Sequence, residues 1–96
     1  MKVNVCGVPY KVIECDDSFD VGTHFGQIDY ADAIIKINRK LSKEMWNETL
    51  CHEMLHGMLV HLGYSDLTQD EKFVSSLGNA IYNAFDLRIE KSEGEK

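Results

Sequence analysis

The spacing of apolar positions changes once along the chain. Up to about residue 38 apolar and polar residues alternate in short runs, and beyond Leu41 they recur every three or four residues. In "VNVCGVPYKVIEC" two runs rich in Val and Ile flank Gly7 and Pro9. That punctuation predicts a hairpin of strands 3–6 and 10–15. A polar loop, "DDSFDVGTH", follows. "FGQIDYADAIIKIN" then predicts a second hairpin, with strands 25–30 and 33–38 around Ala31 and Asp32. Ile35 and Ile37 alternate with Lys36 and Asn38, as in a sheet with one wet face.

The longer period predicts a helix over residues 43–62. Ser42 is its expected N-cap, Glu44 lies in its first turn and Gly63 sits where a C-terminal glycine belongs. Met45, Leu50, Met54, Leu55, Met58, Leu59 and Leu62 go most of the way round it. A helix of that kind is covered on several sides, here by a sheet and by another helix. The covering helix is predicted over residues 69–85. Phe73, Val74, Leu77, Ala80, Ile81 and Ala84 form its apolar stripe. The expected fold is therefore α+β: a small antiparallel sheet of two hairpins, then two packed helices. Residues 1–88 are expected to form a single domain, with 89–96 a charged, frayed tail.

Inside the first helix lies "HEML", closed by His56. His52-Glu53-Met54-Leu55-His56 is an HExxH pattern. Residues four apart lie one above the other on a helix, so both imidazoles reach one metal ion. Zinc suits such ligands, and a catalytic zinc keeps one position for water. Glu53 is rotated by about 100° from His52, which places it beside the ion and not on it. There it serves as a general base on a water whose pKa the metal lowers from ~15.7 toward ~7. The alternative is two histidines and a glutamate that bind nothing. Against it stands the apolar setting of Leu50, Cys51, Leu55, Met58 and Leu59. A charged Glu53 buried there needs a cationic partner.

A third protein ligand is required. Glu71 is the first choice, because it opens the second helix and an antiparallel return brings it beside the motif. Its other reading is a capping-box partner of Thr68. Asp70, Asp66 and His61 are further candidates. His61, about 140° from His56 on a straight helix, is expected to cap the helix C-terminus. Cys51 and Trp46 are expected in the core, and His24 in a solvated loop.

Composition narrows the function. The chain has 96 residues, 44% of them apolar and 27% charged, as in an ordinary globular domain. Sixteen acidic residues against ten basic give a net charge of −6, which disfavours a nucleic-acid partner. No run reaches the roughly 18 apolar residues that cross a bilayer. No signal-peptide pattern opens the chain. Three cysteines without CxxC spacing suggest reduced thiols and a cytoplasmic location.

"TLCHEMLHGMLVHLG" followed by "DEKFVSSLGNAIYNAF", with "GQIDYADAIIKINRKLS" upstream, resembles the ImmA/IrrE-type zinc metallopeptidases, above all their short phage and prophage versions. The resemblance covers residues 26–85. It implies a minimal zincin-like domain in which a small antiparallel sheet precedes the motif helix. It also implies a Zn2+ cofactor held by His52, His56 and Glu71, Glu53 as general base, and a protein or peptide substrate. Val74 and Leu77, three and six residues after Glu71, match the family and favour Glu71 over Asp70. The gap from His56 to Glu71 is shorter than in larger members, and Ser75 and Gly78 depart from the pattern. "HGMLVHLGYSD" is similar to the "HGxLHLxGYDH" run of YbeY-type endoribonucleases, with a different histidine spacing and no final histidine. A metal-binding interaction module without catalysis is the remaining alternative.

Overall fold

The computed structural model describes residues 1–16 and 25–85. The loop carrying His24 and the expected tail 89–96 lie outside the described residues. Strands β1 (Lys2–Val5), β2 (Val8–Cys15), β3 (Gly26–Asp29) and β4 (Ile34–Asn38) precede helices α1 (Lys43–His61), α2 (Ser65–Thr68) and α3 (Glu71–Ala84). The α+β class is as expected, and both hairpins form.

The sheet itself is a correction. Its order is β1-β2-β4-β3, and β2 pairs with β4 in parallel, so it is mixed and not antiparallel. Each hairpin turns its more apolar second strand to the centre. Tyr10 and Val12 of β2 and Ile35 and Ile37 of β4 are all buried. The two hairpins dock with these second strands side by side and running the same way, which makes the central pairing parallel.

The first turn is also displaced from its expected place. It is the two-residue link Cys6-Gly7, both with positive φ, of 52° and 87°. Asn4 Oδ1 accepts the Gly7 N–H at 2.7 Å and steadies it. Pro9 consequently lies within β2, opposite Asn4. Val8 and Val5 flank the turn as a hydrogen-bonded pair, so position 9 directs its missing N–H away from β1. On that side β4 starts pairing only at Lys11.

Ser42 caps α1 by accepting from the Met45 N–H, as expected. The far end is closed by Gly63 at φ 91°. Its N–H bonds to Val60 O at 3.1 Å and that of Tyr64 to Leu59 O at 2.7 Å, the paired bonds of a Schellman motif. His61 does not cap this end. Its Nε2 lies 2.7 Å from the hydroxyl of Tyr10, a fully buried residue of β2, and so ties the helix to the sheet.

The protein has three layers, with α1 in the middle. On one side Trp46 and Leu50 pack with Val5, Tyr10, Val12, Ile35 and Ile37 of the sheet. On the other, Leu55 and Leu59 pack with Val74 of α3. The stripe of α3 is narrower than expected, since Ala80 and Ala84 are exposed. Burial from both sides explains why so much of α1 is apolar.

Edge strand β3 comes close to α1 at one glycine. A Cβ on Gly26 would lie 2.8 Å from Thr49 Cγ2 and 2.9 Å from Lys36 O, with Glu53 Cγ at 3.6 Å. The Asn38 N–H donates to Phe25 O. By the alternation of an antiparallel ladder, Gly26 and Ile28 therefore turn their N–H and C=O groups away from β4, to the open edge. Gly26→Ala is expected to lower stability by about 1–3 kcal/mol, because a strand backbone cannot yield as a side-chain tip does. Denaturant unfolding of the metal-free protein checks this, and an unchanged midpoint would mean that the contact is not tight.

Candidate metal centre

Helical spacing aligns His52 and His56 on one face of α1, with ring centroids 4.9 Å apart. The first residue of α3 meets them. Glu71 Oε2 lies 2.9 Å from His56 Nε2, and Oε1 lies 3.3 Å from His52 Nε2. One donor atom from each of the three residues falls within 4.8 Å of the others. Donors at the corners of a tetrahedron around an ion 2.0–2.1 Å away are separated by roughly 3.3 Å. The two distances from Glu71 to the imidazoles are close to that separation, so the trio could hold a single ion. Two imidazole nitrogens and one carboxylate also suit zinc by ligand type. Among the described residues no other group of His, Cys, Asp and Glu converges in this way.

The other ligand candidates have different places. Asp70 is the N-cap of α3, its Oδ1 accepting the Phe73 N–H at 3.1 Å. That removes the capping-box reading of Thr68 with Glu71. Asp66 is exposed on α2, and His61 is held by Tyr10. Cys51 is buried, as expected, with its thiol 3.8 Å from Gly78 O, and burial raises its pKa.

Glu53 is the unusual charge. It is 7% exposed and lies in the α1 face that β3 covers. Burial, helped by the neighbouring Glu71 carboxylate, lifts its pKa to about 7. His56 is shifted the other way: burial disfavours its charged form and outweighs the pull of Glu71.

Thr68 is a site residue that sequence reasoning missed. It is buried, and its Oγ1 lies 2.7 Å from His56 Nδ1. The expected helix start at residue 69 left it in a turn. Instead the four-residue helix α2 carries it to the Nδ1 edge of the His56 ring. Tyr30 was missed too. It stands beside the site, its hydroxyl pKa raised by burial against the lowering effect of a hydrogen bond with Thr68, with Glu53 and Glu71 adding to the rise.

These groups lie in a groove of about 930 Å³ bordered by Gly26, Gln27 and Ile28 of β3. Phe25, half exposed, and Met45 form an apolar stretch of its wall. No Lys or Arg lines it among the described residues. Among the described residues no helix is long and apolar enough to cross a membrane. Comparison of the chain with protein-family models, curated proteins and solved structures gave no match.

The raised Glu53 pKa sets a pH dependence in the metal-free state. The folded chain holds this proton up to about pH 7, whereas an ordinary carboxyl loses it near 4.5. Between those values the folded state binds more protons than the unfolded one, so the Glu53 contribution to stability falls as pH rises. Glu53→Gln removes the effect. Its stability relative to wild type is expected to improve by on the order of 3 kcal/mol from about pH 4 to about pH 8. Thermal unfolding of both proteins without metal checks it, and a difference that does not vary with pH would overturn it.

Proposed function

We infer that this chain is a zinc-dependent peptidase with a minimal zincin-like domain, acting on a protein or peptide. The observation that carries the reading is the convergence of His52, His56 and Glu71 beside a buried Glu53, all opening on one groove. A zinc ion held by those three residues would supply Lewis acidity, polarising the scissile carbonyl and lowering the pKa of a water.

The chain's own residues do the rest. Glu53 takes a proton from the attacking water at a carboxylate oxygen and delivers it to the leaving amide nitrogen. Its burial keeps bulk water from competing for that proton. The open edge of β3 binds the substrate as an added strand, through the N–H and C=O groups of Gly26 and Ile28. Gly26 lies against Glu53, so a peptide in that register passes the base. The apolar wall of Phe25 and Met45 offers contact for a substrate side chain. A groove edged by carboxylates, with no Lys or Arg among the described residues that line it, suits a peptide better than a polyphosphate.

Purified untagged protein is expected to bind one zinc per chain. Glu53→Gln should keep that zinc and lose hydrolysis of a peptide library by at least about 10²-fold. Zinc uptake without any cleavage by wild type would favour a metal-binding interaction module. No uptake even after loading would remove the metal centre itself.

A further inference from the structure

We propose that Thr68 is the positioning residue of this centre: its hydroxyl supports the His56 ring both with and without a bound divalent ion. The inference rests on His52, His56 and Glu71 being the ligand set.

The two nitrogens of His56 have different neighbours. Nε2 lies 2.9 Å from Glu71 Oε2, and Nδ1 lies 2.7 Å from Thr68 Oγ1. A carboxylate only accepts hydrogen bonds. In the metal-free protein the proton of the neutral ring therefore belongs on Nε2, where it is donated to Glu71. Nδ1 is then a bare acceptor, and the Thr68 hydroxyl donates to it. An ion taken up at Nε2 needs the lone pair there, so the proton of the ring must be on Nδ1. Nε2 gives its proton to water, Nδ1 gains one from water, and the ring carries one proton in both states.

With Nδ1 protonated, Thr68 Oγ1 becomes the acceptor and must send its own proton elsewhere. The His56 carbonyl is at hand, 3.4 Å from Oγ1 in a donor geometry. Rotation of one hydroxyl thus exchanges the two arrangements with no movement of the backbone. Neither a carbonyl nor a carboxylate at this place has a proton to give to a bare Nδ1, and an ammonium has no acceptor for a protonated one. Only a side chain that both donates and accepts serves the two states of a buried ring. The position of Thr68 on α2, between the two ligand-bearing helices, brings that hydroxyl to the ring.

The test uses the untagged full chain at a pH where free histidine is neutral. Zinc affinity is measured by competition with a chelator for wild type, Thr68→Val and Thr68→Ser. Nitrogen-15 spectra of the His56 ring are recorded with and without zinc. Thr68→Val is expected to weaken zinc binding by about 10–100-fold, and Thr68→Ser to stay within severalfold of wild type. In wild type the ring proton is expected on Nε2 without metal and on Nδ1 with it. Zinc binding by Thr68→Val as tight as wild type overturns the proposal, and so does a wild-type ring with the same protonated nitrogen in both states. Should Thr68→Val not fold, the wild-type spectra and the affinity of Thr68→Ser decide. A wild type that takes up no zinc sinks the ligand assignment underneath, a result distinct from normal uptake that Thr68→Val leaves unchanged.

Discussion

The central constraint is that α1 is buried from two sides and yet carries His52, Glu53 and His56. A buried polar side chain must find its partners in whatever packs against it. Here the covering layers supply them. Glu71 opens α3 with its carboxylate between the two rings, and Thr68 reaches the far side of His56. Glu53 is different, because its neighbours include another carboxylate, Glu71, and the Gly26 backbone of β3. The fold holds an acidic group there against its solvation preference, a condition that recurs where proton transfer is the purpose.

The path of the chain follows from serving that helix. The sheet covers the face of Trp46 and Leu50, and α3 covers that of Leu55 and Leu59. Between α1 and α3 the chain reverses within a few residues. Gly63 ends one helix, α2 fills the corner, and Asp70 starts the next. Because Asp70 takes the cap, Glu71 is free to point at the histidines. Two adjacent acidic residues thus divide the work of starting a helix and completing a donor set.

How much of this was legible in the sequence depends on distance along the chain. The span of α1, its Ser42 cap, its Gly63 stop and the His52–His56 pairing are local patterns, and they appear as expected. Glu71 was legible because it opens the next amphipathic helix. Thr68 was not: it meets His56 only after the chain has turned, and a four-residue helix shows no period. The parallel pairing of β2 with β4 was hidden for a similar reason, since hairpin signals say nothing about which strand of each pair faces inward. His61 is the clearest case. Its position suggested the nearest helix end, but its partner Tyr10 belongs to the second strand.

The arrangement of the donors also bears on the order in which the molecule assembles. His52, His56, Thr68 and Glu71 belong to one helical hairpin, whereas the middle of the sheet joins segments from separate hairpins. Short-range contacts form early in folding and parallel strand pairing forms late. The corner that gathers these side chains can therefore take shape while the sheet is still incomplete, and a cation, if one is held there at that stage, would act as a template on which the remaining layer closes.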